Sequence, residues 1–183
     1  INQKGKVKNY SLFMKKKIWL IADTHFNHPE MIRDCGRPED FEERIWQGLR
    51  QIPAQDILVH LGDICIGRDQ EIHGRLKRFS FTKILVKGNH DNKSNNWYLN
   101  HGWDFVCEQF KDRYFKKYFL FSHMPRAAEE GYDINIHAHF HNISQEYHEK
   151  ELIEIQNNKQ KLFALEYMKY FPVLLEDFIR SFD

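Results

Sequence analysis

Long apolar stretches are missing from this 183-residue chain, and so is any paired-cysteine pattern. No run approaches the ~18 apolar residues of a membrane-spanning helix, so no membrane partner is expected. The N-terminus is polar and basic, so no secretory leader is visible. The three cysteines, Cys35, Cys65 and Cys107, are odd in number and far apart, with no CxxC among them. That excludes a disulfide framework and a structural zinc knot, and it fits free thiols in a reducing, cytoplasmic compartment. An excess of one charge is lacking too: 27 Lys and Arg face 26 Asp and Glu, for a net charge of +1. A general nucleic-acid binder needs a clear basic excess for its phosphate contacts. Extended nucleic acid is therefore the less expected partner, while a small phosphorylated substrate, a nucleotide among them, is compatible.

Histidine, by contrast, is abundant at 11 residues, and most of them fall at one kind of place. Five short apolar runs each end in residues that bind metals. Ile18 to Ala22 leads to Asp23-Thr24-His25, and Ile57 to Val59 leads to Gly62-Asp63. Ile84 to Val86 leads to Gly88-Asn89-His90-Asp91, Tyr118 to Phe121 to His123, and Ile134 to Ile136 to His137-Ala138-His139-Phe140-His141. Such runs, rich in β-branched and aromatic residues, read as buried strands, and ligands gather beyond the carboxyl ends of strands in open α/β sheets. A core has no need of Asp, Asn and His at every strand exit, so together the ends look like a two-metal site.

Between the runs, Phe41, Ile45, Leu49 and Ile52 recur at helical spacing after Pro38-Glu39-Asp40, a good first turn. A second helix is expected over about Asp69 to Phe79. The strand–helix–strand–helix–strand order implies parallel strands with right-handed crossovers. The second half reads differently: strands at Phe105-Val106, Tyr114-Phe115, Tyr118 to Phe121 and Leu162 to Tyr167, a hairpin tip at Lys116-Lys117, and a terminal helix over about Leu174 to Phe182. The fold class expected is α/β (α+β), two packed sheets flanked by helices, in one domain from Met14 to Asp183. Residues 1–13 read as an extension, an added or processed segment, because Met14-Lys15-Lys16-Lys17 before a strand looks like a natural start. A strand from Val7 to Phe13 paired into the sheet would contradict that.

Asp23 and His25, two apart, would point to one side of an extended strand end, and so would His139 and His141. His137 offers a competing register with the same alternation, and His139 with His141 is the favoured one. Mixed carboxylate and imidazole ligation without thiolate suits two divalent ions, Mn, Fe, Ni or Zn. About four positive charges against the roughly two negative ones of Asp23 and Asp63 leave a cationic site that attracts phosphate. His28 is either a substrate contact or a loop cap. Arg37 and Arg126 are either bidentate phosphate clamps or ordinary surface arginines. His60 reads as a packed residue, and His73, His101 and His148 as exposed ones. The four tryptophans, Trp19, Trp46, Trp97 and Trp103, read as core.

The ordered set Asp23-x-His25, Gly62-Asp63, Gly88-Asn89-His90-Asp91, His123 and His139-x-His141 resembles the calcineurin-like metallophosphoesterases. More narrowly, Asp23 to His28, Arg37-Pro38, His60-Leu61-Gly62-Asp63, Ser122 to Pro125 and Leu165-Glu166-Tyr167 look like small single-domain bacterial and phage members. The resemblance implies a four-layered α/β/β/α sandwich and a dinuclear centre, with manganese among the metals it admits. It puts one metal on Asp23, His25, Asp63 and His141 and the other on Asp63, Asn89, His123 and His139. His90 would serve the leaving group as a catalytic residue, with Asp91 orienting its ring. The implied activity is hydrolysis of a phosphomonoester or phosphodiester. A nuclease or repair phosphodiesterase with the same site, and a catalytically silent metal-binding scaffold, are the competing readings. Ala138 departs from the usual Gly-His-x-His, so that position must avoid positive φ.

Overall fold

The computed structural model describes residues 16–127, 131–142 and 159–182. Residues 1–13, the strand tested at Val7 to Phe13, Lys15 and His148 lie outside the described residues. Among the described residues, no helix is long and apolar enough to cross a membrane.

Two mixed sheets form, flanked by helices, as the sandwich fold requires. In the first, β1 (Ile18–Ile21), β2 (Ile57–His60), β3 (Thr82–Val86) and β4 (Phe105–Cys107) run parallel, and β9 (Val173–Leu174) joins β1 antiparallel. Their order across the sheet is β4-β3-β2-β1-β9. In the second, β5 (Gln109–Tyr114) pairs antiparallel with β6 (Lys117–Ser122), while β7 (Ile134–His137) and β8 (Gln160–Leu162) add on parallel. Among the described residues the α-helices are α1 (Glu30–Asp34), α2 (Phe41–Leu49), α3 (Asp69–Leu76), α4 (Asn95–Asn100) and α5 (Leu175–Arg180).

α2 buries Phe41, Ile45 and Leu49 of the face its spacing predicts, with Trp46 beside them, while Ile52, expected on the same face, is buried just past the helix end. Trp46 stacks on Phe26 with ring centroids 4.2 Å apart, locking the helix onto the loop after β1. Glu42, in its first turn, accepts from the Asn27 backbone N–H at 2.8 Å and ties down the same loop. Apolar burial of this kind, ~25 cal/mol per Å², is the main stabilising term.

Register explains why the strand exits meet. Ile21 lies beside His60, and His60 beside Leu85, so β1, β2 and β3 end level at one edge of the sheet. In the second sheet Phe121 lies beside Ile136, so the exits of β6 and β7 are level too.

Several local expectations shift. The hairpin between β5 and β6 turns at Phe115 and Lys116, both at positive φ, and Lys117 already belongs to β6. The strand expected over Leu162 to Tyr167 stops at Leu162, and Leu165–Met168 is a 3-10 turn. α3 and α5 are shorter than the spacing suggested. His73 is buried rather than exposed, because its Nδ1 accepts from the Trp103 indole at 2.9 Å. His101 is half-buried and stacks on Trp97, their centroids 3.7 Å apart. Trp46 and Trp103 are core, while Trp19 and Trp97 are partly buried at its edge.

Candidate metal centre

Past β1 and β2 the two segments keep pairing, but through a distorted backbone. Asp23 N–H donates to Gly62 O at 2.9 Å, His25 N–H to Asp63 O at 3.0 Å and Phe26 N–H to Ile64 O at 2.9 Å. Asp23, His25 and Asp63 have φ of 47°, 44° and 58°. The expected extended strand end is therefore corrected: left-handed residues, not strand alternation, turn Asp23 and His25 inward. The same holds across the cleft, where His139 and His141 have φ of 75° and 49°. Positive φ is uncommon for residues with a Cβ, and clusters of it mark functional loops held by their surroundings. Ala138 avoids it, and its N–H donates to His123 O at 2.8 Å. Two glycines allow the close approach at the centre. A Cβ on Gly62 (φ +98°) would meet Gly88 N at 2.5 Å, and one on Gly88 would strike the Asp63 carboxylate.

The seven residues expected as ligands converge. Asp23, His25 and His141 form one group with donor atoms all within 4.8 Å of one another, and Asp63, His123 and His139 form another. Asp63 Oδ2 sits between them, 3.7 Å from His25 Nε2 and 3.3 Å from His123 Nε2. Asn89 Oδ1 lies 3.0 Å from His123 Nε2, and His139 Nδ1 lies 3.2 Å from that same nitrogen. The sheets are stitched together here: His123 Nδ1 contacts Leu61 O at 2.7 Å and the His139 N–H donates to Asp23 Oδ2 at 3.2 Å. His137 is in neither group; it is buried, with Nδ1 3.2 Å from Ala138 O.

The donor set fits divalent cations. Asp23 Oδ1 and His25 Nε2 are buried without a hydrogen-bond partner, and such orphans are costly unless something charged satisfies them. Burial pushes the Asp23 carboxyl up to about 6, partly offset by His141 and His123. Burial, and then His141, pulls His25 down to about 2, so its ring is neutral, as a ligand must be. For His123 burial pulls downward, but the hydrogen bond to Asp63 and the Asp23 charge outweigh it and lift the ring to about 9. Burial likewise pushes Asp63 upward and is overcome by His123, which holds the carboxyl well below the usual range. Both carboxylates thus face positive charge that a metal could replace.

Other residues land differently. Asp91 does not orient the His90 ring. Its carboxylate accepts the backbone N–H groups of Asp63 (2.8 Å), Gly88 (2.8 Å) and Ile64 (3.2 Å), bracing the two turns that carry Asp63 and Asn89. His90 stands at the rim, 45% exposed, with Nε2 3.9 Å from Asp63 Oδ2. Its backbone N–H donates to Asp63 Oδ1 at 2.9 Å. His28 Nδ1 is 3.4 Å from His25 Nδ1.

Arg37, read as a phosphate clamp or a surface residue, is neither exposed nor free: it is buried against Glu166. Arg126 keeps a buried, unpartnered Nε, and its backbone N–H donates to Asn135 Oδ1 at 2.9 Å. Arg68 pairs with Glu71 at the surface. His60 is packed as expected. Its Nδ1 accepts from the Gly62 N–H at 3.1 Å, which leaves the proton on Nε2 to reach Thr24 Oγ1 at 3.0 Å. Glu166 was not singled out from the sequence as a site residue, although Leu165-Glu166-Tyr167 was among the motifs of the narrower resemblance and Glu166 closes the apolar run Leu162 to Leu165.

A calcineurin-like phosphoesterase family profile matches residues 16–173. The chain belongs to that family, whose members are phosphoesterase hydrolases. It is 28% identical over 177 residues to an uncharacterised protein of Methanocaldococcus jannaschii, covering 88% of each chain. A protein of unknown function from Aquifex aeolicus has a similar structure, with a TM-score of 0.73 at 24% identity over 91% of this chain and 100% of that one. The phosphoesterase Yfce of E. coli is a looser match, with a TM-score of 0.49 at 17% identity over 81% and 78% of the two chains.

Proposed function

We propose that the protein hydrolyses a small phosphomonoester or phosphodiester at a centre of two divalent cations. One cation would rest on Asp23, His25, Asp63 and His141, the other on Asp63, Asn89, His123 and His139. The observation that carries this reading is the position of Asp63 Oδ2 between two separate donor groups. When bound, such a pair activates water near neutral pH and stabilises charge on the attacking and leaving oxygens.

The chain's own residues do the rest. Asp63 is held from behind by Asp91, so its carboxylate stays aimed at both groups. His90 is fixed at the rim by its backbone bond to Asp63 Oδ1 and offers Nε2 as a proton donor to the departing oxygen. His28 and Arg126 are proposed substrate contacts, His28 beside His25 and Arg126 on the loop following His123-Met124-Pro125. The chain's near-neutral charge favours a small substrate over a polymer.

The test is a screen of p-nitrophenyl phosphate, bis-p-nitrophenyl phosphate and cyclic nucleotides against Mn, Fe, Ni and Zn. Turnover that requires added metal and vanishes in Asp63→Ala supports the reading. Two bound cations with no turnover on any of these esters would instead identify a binding scaffold.

A further inference from the structure

Arg37 and Glu166 lie 129 residues apart in sequence and meet in the interior, with side chains 0% and 3% exposed. Arg37 Nε and Nη2 both donate to one oxygen, Glu166 Oε1, at 2.9 and 2.7 Å. Nη2 also donates to Asp23 O at 2.8 Å and Nη1 to Thr24 O at 3.2 Å. The guanidinium therefore grips the backbone of the loop that presents Asp23 and His25.

The His141 ring closes the arrangement. Its Nδ1 is 3.2 Å from Glu166 Oε1 and 3.4 Å from Arg37 Nη2. A hydrogen count decides between the two. Nη2 carries two hydrogens, and both are already directed, one to Glu166 Oε1 and one to Asp23 O. No hydrogen remains for Nδ1 to accept, so Nδ1 must donate, and its acceptor is the carboxylate. In the neutral ring the lone pair is then on Nε2.

We propose that Glu166 is a positioning residue: held by Arg37, it fixes His141 as the Nδ1–H tautomer so that Nε2 is available to a cation shared with Asp23 and His25. Cys35 also lies near His141 and Glu166. Its donor atom and those of His141 and Glu166 lie within 4.8 Å of one another, and burial, and then the Glu166 charge, raises its thiol to about 11 in the metal-free protein. The proposal rests on the two-cation reading, but its first test does not need a metal.

That test is long-range 1H–15N NMR of the histidine rings in metal-free full-length protein, at a pH where His141 is neutral. The expected spectrum assigns His141 to the Nδ1–H tautomer; a dominant Nε2–H tautomer overturns the proposal, whatever the protein's activity. Glu166→Gln then supplies the second readout, because its amide NH2 can face Nδ1 and let the ring proton move to Nε2. Titration with Co2+, followed by its visible spectrum and by calorimetry, should show one of two binding steps weakened ~10–100-fold, the range for losing a partner that orients a ligand. The other step should stay close to wild type, while the thermal midpoint falls because Glu166→Gln leaves the buried Arg37 without its counter-charge. Two unchanged steps would overturn the proposal, and so would an equal loss of both. If the wild-type protein itself bound no Co2+, the proposed function would fall while the tautomer assignment still stood on its own spectrum.

Discussion

Asp23, His25 and His141 rest on a buried ion pair, whereas Asp63, His123 and His139 rest largely on main chain. Behind the first group, Arg37 and Glu166 bind two backbone carbonyls and one ring nitrogen. Behind the second, Asp91 collects three backbone N–H groups and Leu61 O meets the His123 ring. The two cradles use the same donor chemistry, but the first draws its support from side chains far apart in sequence and the second from turns adjacent to its own ligands. A cradle held by a buried charge pair fails sharply when one partner is removed, because the other charge is left without compensation. A cradle held by backbone bonds fails by smaller steps, one hydrogen bond at a time.

The comparison can be broken outright at Asp63, placed to serve both cradles. We predict that Asp63→Ala loses both cations and falls to background turnover, measured by metal content and ester hydrolysis. Retention of one tightly held cation would show that Asp63 belongs to a single cradle. His90 belongs to neither, so His90→Ala should keep both cations while kcat drops ~10²–10⁴, the usual contribution of a general acid. Loss of metal from that variant would move His90 from the chemistry to the ligands.

Arg37→Ala sharpens the contrast by leaving Glu166 buried and uncompensated. Urea unfolding should show a loss of ~3–5 kcal/mol, and a change under ~1 kcal/mol would mean the pair is no more than a surface-type bridge. Asp91→Asn is the matching change behind the second cradle. An amide has one acceptor oxygen where the carboxylate offers two, so at least one of the N–H groups of Asp63, Gly88 and Ile64 then faces an NH2. The expected cost is ~1–3 kcal/mol by urea unfolding, smaller than that at Arg37.

The smallest effect is a proton. With His123 lifted to about 9 by Asp63 and Asp23 against the pull of burial, its ring is protonated at neutral pH before metal arrives. Ligation needs the neutral ring, so filling the second cradle at pH 7 should release about one proton, with none released above the His123 value. Calorimetry in buffers of different ionisation enthalpy reads the number directly. His25, held down to about 2, should release none.

Much of this was legible in the chain. The five apolar runs are five strands, and they could be read because a buried strand must be short, apolar and β-branched. The residues at their ends were legible because no core explains Asp, Asn and His there. Arg37 misled because a sequence shows a guanidinium but not its partner: Glu166 lies 129 residues away, in a 3-10 turn read as strand. Asp91 misled for a related reason. Its neighbour in sequence is His90, but its neighbours in space are the backbone N–H groups of Asp63, Ile64 and Gly88. His73, the exposed histidine that proved buried, was decided by an indole on a distant loop.

The sequence by itself determined which segments become strands and which side chains stand at their exits, since hydrophobic period and residue type are local properties. Tertiary structure alone decided that these exits lie level across two sheets, that left-handed backbone at Asp23, His25, Asp63, His139 and His141 turns the donors inward, and which charge stands behind each cradle. Those outcomes depend on strand register and on hydrogen bonds between residues far apart in the chain, and neither is encoded at any single position.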